Sequence, residues 1–221
     1  MHASPQRRVL VIGADGLRPD FVTPDRMPTV CRLAREGVHF RHHHAVYPTH
    51  TRVNISALAS GAHPGRHGLV ANTMIVPNAT EDHIIDTGSY QHLDALDRAT
   101  AGRALLVPTL GDILAERHER VAVAATSTAG ASLLWTRKQR SRMINTNSAY
   151  GIADLYDLRE KLGEVPSKTR GVQLEAIRYA TRAVTEIFLD DPENRVVVLW
   201  FSEPDSSLHY YGLGSPEMEE A

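Results

Sequence analysis

The chain has 221 residues, 42% hydrophobic and 23% charged, and its 24 Lys+Arg against 26 Asp+Glu give a formal net charge of −2. That composition excludes a disordered or collagen-like chain and argues against nucleic-acid binding by bulk charge. No apolar run approaches the ~20 residues of a membrane-spanning helix, so no membrane partner is expected, and a lone cysteine, Cys31, excludes an internal disulfide and a cysteine-only zinc site.

In chain order, Val9 to Ile12 is an aliphatic and β-branched run ended by Gly13. It predicts a strand buried on both faces of a parallel sheet. The run is too short for the core of a signal peptide, and a cytoplasmic setting is expected. Pro28 to Glu36 predicts a helix, with proline near its first position and Gly37 as its stop. Val38 to Tyr47 predicts a second strand, its apolar Val38, Phe40, Ala45 and Val46 set around His42, His43 and His44. Thr51 to Ser60 predicts a helix closed by Gly61. Residues 78–104 are polar with little periodicity and predict an excursion or partial cap over the sheet. Pro108 to Arg117 predicts a helix with Leu110, Ile113 and Leu114 on one face, and Val121 to Ala125 a buried strand. Residues 128–168 carry no clear pattern. Arg170 to Leu189 predicts the longest helix, with Leu174, Ile177, Val184, Ile187 and Phe188 as its apolar stripe. Val196 to Phe201 predicts another buried strand, and Ser215-Pro216-Glu217 a capped helix start. Strand and helix alternate without internal repeat. The expected fold is a single α/β domain over residues 1–221, doubly wound, with a mostly parallel sheet and helices on both faces. In such sheets function sits at the carboxyl ends of the strands.

Three segments at those positions could carry chemistry. Asp15-Gly16 places a carboxylate just past the first strand, beside a residue that lets backbone approach a ligand; a turn aspartate bonded to local amides fits equally. Gly13-Ala14-Asp15-Gly16 is not a dinucleotide fingerprint. Thr51 stands at or next to a helix N-cap, where unpaired amides and the helix dipole favour an alkoxide or a bound anion, although threonine also caps helices with no further role. Asp205 and His209 are four residues apart, a spacing that can hold one metal ion on a helical face, or simply a cap and a solvated histidine.

Together these segments resemble the alkaline phosphatase superfamily, and within it the type I phosphodiesterase and nucleotide pyrophosphatase family. Val11-Ile-Gly-Ala-Asp15-Gly-Leu-Arg-Pro-Asp20 is similar to that family's opening strand and first metal-binding aspartate. Pro48-Thr-His-Thr51-Arg-Val-Asn54 is similar to its nucleophile segment. Ser60-Gly-Ala-His-Pro-Gly-Arg-His67-Gly-Leu-Val-Ala-Asn72 is similar to the segment whose asparagine contacts the phosphoryl oxygen, and Glu203-Pro-Asp205-Ser-Ser-Leu-His209 to one that gives a zinc its aspartate and histidine. The resemblance implies a metal-dependent hydrolase of phosphodiester or pyrophosphate bonds in a small phosphorylated substrate, with Thr51 forming a covalent phosphoryl intermediate. It implies two zinc ions roughly 4 Å apart, one held by Asp15 and Thr51, the other by Asp205 and His209, with Asn72 stabilising charge on phosphorus-bound oxygens. Phosphonate or phosphomonoester hydrolysis is the alternative within the superfamily.

The chain departs from the pattern twice. Where nucleotide-selective members carry an aromatic residue and a proline after the threonine, this chain has Arg52 and Val53; Arg52 is expected to bind a phosphate or another anionic group of the substrate. The family's later Asp-His-Gly segment and further histidine have no counterpart, since the residues after His209 include no Asp or His. The expectation is an incomplete domain, cut at residue 221, which alone could be a catalytically incompetent metal-binding fragment. Of the other histidines, His42, His43 and His44 would alternate faces of a strand and are expected at the surface. His50 and His63 lie near the site without an assigned role, and His67 is expected to orient the loop leading to Asn72. Trp135, Trp200 and Tyr210 are expected to pack.

Overall fold

The computed structural model describes residues 7–137, 143–146, 155–166 and 172–221. Among these residues the main sheet has four strands, β1 (Val9–Ala14), β4 (Arg120–Ala125), β5 (Met143–Asn145) and β6 (Asn194–Phe201), in the order β1-β6-β4-β5 with every pairing parallel. Side chains of a strand point alternately to opposite faces, and the two central strands use both. Val121, Val123, Val196, Val198 and Trp200 face a core shared with Val53, Ile55, Leu93 and Leu133. Ala122, Ala124, Val197 and Leu199 face a second core with Leu158, Tyr179, Ala180, Val184 and Phe188. Each fully buried aliphatic side chain contributes about 1.5–3 kcal/mol. The expected doubly wound α/β fold is therefore present, with helices on both faces.

On the first face lie α2 (Thr51–Ser60), α4 (Tyr90–Ala99), α5 (Leu110–Ala115) and α6 (Ala129–Leu133). On the second lie α7 (Leu155–Leu162) and α8 (Leu174–Ala183), the latter running on through a wide turn at Val184–Phe188. The first residues of the helix expected from Arg170 fall outside the described residues, as do parts of the unpatterned 128–168 stretch. Helix α5 starts at a reciprocal cap: the Thr109 hydroxyl accepts from the Asp112 amide at 3.2 Å and the Asp112 carboxylate accepts from the Thr109 amide at 2.9 Å. The closing helix α10 (Pro216–Glu220) is capped as expected, the Ser215 hydroxyl accepting from the Met218 amide at 3.2 Å.

Two expectations fail, each for a physical reason. Strand β1 is not buried on both faces: Val9 is 54% and Ile12 58% exposed, because β1 pairs with β6 on one side and forms the sheet's edge. Val38 to Tyr47 forms no strand; it runs as an irregular segment with Phe40 74% exposed and its end tied to a helix side chain rather than to a strand edge. The 78–104 stretch, expected as an excursion or partial cap, has regular structure within it. It contributes β3 (Ile84–Asp86), antiparallel to β2 (Thr73–Ile75), and then α4, whose Leu93 and Leu96 are buried in the first core. The Ser89 hydroxyl, accepting from the His92 amide at 3.3 Å, caps that helix. Among the described residues no helix is long and apolar enough to cross a membrane.

Candidate active site

The carboxyl ends of β1 and β6 meet, and the chemistry-bearing residues gather there. The amide of Asp15, the residue after β1, donates to the Phe201 carbonyl at the end of β6, at 3.0 Å. The Asp205 amide, opening α9 (Asp205–Tyr211), donates to the Asp15 carbonyl at 2.9 Å. Gly16 permits this approach. Its φ is +73°, and a Cβ there would stand 2.8 Å from the Asp205 Cα. Gly13 does the same for Trp200, whose ring would lie 2.3 Å from an added Cβ. Trp200 packs on Trp135 at 6.3 Å between centroids, so both tryptophans pack as expected; Tyr210 is exposed.

Helix α2 brings Thr51 to the same place. Its N-cap is His50, so Thr51 is the first helical residue, and Gly61 in the left-handed conformation ends the helix. Asn54, a turn further on, holds the approach to Thr51. Its Oδ1 accepts from the Val46 amide at 2.8 Å, and its Nδ2 donates to the carbonyls of His50 at 3.1 Å and of Val46 and Pro48 at 3.4 Å. One side chain thus fixes the whole 46–50 segment.

Asp15, Thr51 and Asp205 line one open cleft of about 680 Å³, with Trp200, Asn54, Val46 and the imidazoles of His43, His44 and His63. Burial, and then the neighbouring Asp205, push the Asp15 carboxyl up to about 6. The Thr51 hydroxyl, which hydrogen-bonds to it, pulls the other way, as do the Gly16 amide and the Trp200 indole N–H. That indole N–H is itself buried without a partner in full hydrogen-bond geometry. Two carboxylates held close enough to disfavour each other's charge, one of them hydrogen-bonded to a hydroxyl, fit a cation.

The metal donors expected from the sequence come together as pairs. Asp15 and Thr51 share the cleft, and His209 Nε2 lies 3.6 Å from Asp205 Oδ1. His209 does not enter the cleft wall, its side chain being 78% exposed. Among the described residues no three Asp, Glu, His or Cys side chains converge on one point. Zinc takes about four donors, so each pair fits part of a coordination shell.

Asn72 is joined to the start of α2: its Oδ1 accepts from the Arg52 amide at 3.3 Å. Arg52 itself is not in the cleft wall. Its guanidinium donates to Thr87 Oγ1 at 2.9 Å, to Asp86 Oδ1 at 3.2 Å and to the Asn72 carbonyl at 3.4 Å. Burial pulls its pKa down, opposed by Asp86 and Asp15. The hydrogen bonds of this side chain, expected from the sequence to meet an anionic group of the substrate, are here made to protein groups. His67 is fully buried, its Nδ1 accepting from the Leu69 amide at 3.2 Å, so it does shape the loop to Asn72; burial, then His63, lower its pKa.

Two features were not anticipated. Asn54 is a clamp rather than an ordinary helix residue, and His43 and His44 reach the cleft. Glu203 is also buried, with Oε2 accepting from the Ser207 amide at 3.0 Å, bracing the first turn of α9.

Comparison with known proteins agrees with this geometry. A family model described as type I phosphodiesterase / nucleotide pyrophosphatase matches residues 9–221. The chain is 32% identical over 71 residues to venom phosphodiesterase 2 of Crotalus adamanteus, covering 31% of this chain and 9% of that one. It is 30% identical over 80 residues to a bis(5′-adenosyl)-triphosphatase of Mus musculus, covering 36% and 17%. Among solved structures, phosphonoacetate hydrolase from Sinorhizobium meliloti, in complex with phosphonoacetate, superposes with a TM-score of 0.67 at 20% identity, over 98% of this chain and 50% of that one. Murine ectonucleotide pyrophosphatase/phosphodiesterase 5 superposes with a TM-score of 0.61 at 21% identity, over 97% and 48%. The chain therefore spans about half the length of these structures and a smaller share of the curated relatives.

Proposed function

Because the chain belongs to the type I phosphodiesterase / nucleotide pyrophosphatase family, we propose that the protein carrying it hydrolyses phosphodiester or pyrophosphate bonds in a small phosphorylated substrate, with Thr51 as nucleophile. The observation that carries this reading is the meeting of Thr51 with Asp15 and Asp205 in one cleft, at the ends of two adjacent parallel strands. Thr51 Oγ1 is the attacking atom. It lies at the start of α2, where helix dipole and first-turn amides favour a developing alkoxide. Its hydroxyl hydrogen-bonds to the Asp15 carboxylate, which orients Oγ1 in the cleft. The Asn72 Oδ1 accepts from the Arg52 amide in the first turn of α2, which ties the side chain to the Thr51 end of that helix and leaves its Nδ2 as the donor that would meet charge on the equatorial phosphoryl oxygens. Attack by Thr51 forms the Oγ1–phosphorus bond and breaks the bond from phosphorus to the leaving oxygen, which departs as an alcohol or phosphate with the proton that the threonine gives up. Thr51 is left esterified to a phosphoryl group that, for a diester, keeps its other substituent. Water then cleaves the intermediate and restores the hydroxyl.

Divalent metal is part of this reading. Asp15 with Thr51, and Asp205 with His209, would hold two zinc ions, which supply positive charge to the attacking and leaving oxygens. The charge of the donor set supports it, and further donors are needed to complete each shell. A phosphonate substrate is the second reading, favoured by the superposition on phosphonoacetate hydrolase.

The test is turnover of bis-p-nitrophenyl phosphate, p-nitrophenyl phosphate and phosphonoacetate by the full-length gene product, with zinc and with EDTA. The reading expects the diester to turn over fastest, with activity lost in EDTA and in Thr51→Ala. Turnover undiminished in Thr51→Ala would overturn it.

A further inference from the structure

The carbonyl oxygen of Asn72 takes an unusual share of donors. The Thr87 amide donates to it at 2.9 Å, the Thr87 hydroxyl at 2.8 Å and the Arg52 guanidinium at 3.4 Å. The same Thr87 hydroxyl accepts from Arg52 Nε at 2.9 Å, closing a ring of contacts around one peptide group. Thr87 is fully buried and the Arg52 side chain is 14% exposed, so the ring is largely shielded from water. Asp86 completes it: its Oδ1 accepts from Arg52 Nη2 at 3.2 Å and from the Gly88 amide at 2.8 Å, while its own amide donates to His92 Nδ1 on α4 at 2.9 Å. Gly88 leaves the room required, since a Cβ there would lie 3.2 Å from the Arg52 Cζ.

Arg52 therefore grips Asn72 twice, at the main-chain oxygen through its guanidinium and at Oδ1 through its own backbone amide. We propose that Arg52 is a positioning residue, which with Asp86 and Thr87 forms a bracket that holds the Asn72 side-chain amide in register with Thr51. The proposal rests on the reading of Thr51 and Asn72 as the pair acting on phosphorus. An arginine that bound the substrate directly would present its guanidinium to the cleft, whereas this one is engaged by a carboxylate, a hydroxyl and a carbonyl behind it. Arginine suits the task because its planar fork serves several partners at fixed angles; lysine has one compact ammonium and cannot span them. A displacement of about 1 Å in a group acting on the transition state can cost on the order of 10²-fold in rate.

The test compares Arg52→Met, Arg52→Lys and Thr87→Val in the full-length gene product, with two readouts. In steady-state kinetics, the bracket predicts that all three lower kcat by ~10- to 100-fold while KM stays within about threefold, and that Arg52→Met adds little once Asn72→Ala is present. In hydrogen exchange, the Thr87 amide loses protection in Arg52→Met while core amides on β4 and β6 keep theirs. Exchange reports on the bracket whether or not the protein turns over a phosphodiester, so a wild type that is inactive on every substrate defeats the functional reading alone. A raised KM in Arg52→Met, with Thr87→Val kinetically silent and Thr87 exchange unchanged, would overturn the bracket and make Arg52 a substrate contact.

Discussion

Asp15 is a buried acid in an electrostatically unfavourable place, and its replacement by asparagine should make the metal-free protein more stable at neutral pH. Burial and the nearby Asp205 carry its pKa from 3.8 to about 6. The folded state therefore holds this proton more tightly than the unfolded chain. Between those two values the folded state binds more protons, so this group's contribution makes stability fall as pH rises. The loss is complete above about pH 6 and amounts to about 3 kcal/mol. Asparagine keeps the shape and an acceptor for the Thr51 hydroxyl without the charge. In EDTA, the stability of Asp15→Asn minus that of the wild type, from urea unfolding, should be near zero at pH 3.5 and reach about 3 kcal/mol at pH 7.5. For a domain of this size that is a Tm difference of roughly 6–12 °C. Saturating zinc should reverse the order, because the wild type keeps the Asp15 ligand and gains more from the metal than the variant does. A difference that stays flat from pH 4 to pH 7 would refute the reasoning.

Gly16→Ala places a methyl group 2.8 Å from the Asp205 Cα in a backbone conformation that alanine resists. It should shift α9 away from β1 and weaken zinc binding at least ~10-fold by calorimetry, an estimate taken from the usual cost of losing a ligand's orienting contacts. Asn54→Ala removes the clamp on residues 46–50. Limited proteolysis should then cut that segment faster, with the thermal midpoint of the core falling by only a few degrees.

The centre of the fold was legible because β4 and β6 are buried on both faces and so read as unbroken aliphatic runs. Helix ends were legible where chemistry marks them, at Gly61 and Ser215. The same aliphatic signal misled at β1, since a run such as Val9 to Ile12 reports hydrophobicity and not which strand lies at an edge. Helix α4 was hidden because its buried residues are few, Leu93, Ala95 and Leu96, among exposed polar ones. For the site, the resemblance to a known family implied that Asp15, Thr51 and Asp205 act together, and the fold brings them to one cleft. The partners of Arg52 were not legible. They come from β3 and the turn after it, and only the folded chain brings Asp86 and Thr87 beside α2. Asn54 was equally hidden, since nothing in a helical asparagine announces that it will reach back across the preceding segment.

The central claim is that Thr51 becomes phosphorylated during turnover. Rapid acid quench of the full-length protein with a phosphodiester substrate, followed by peptide mass spectrometry, measures it directly. The account predicts a phosphoryl adduct on Thr51 that appears before product is released from the enzyme, with net retention of configuration at a chiral phosphorus. Inversion at phosphorus with no adduct on Thr51 would mean that water attacks directly, and would contradict it.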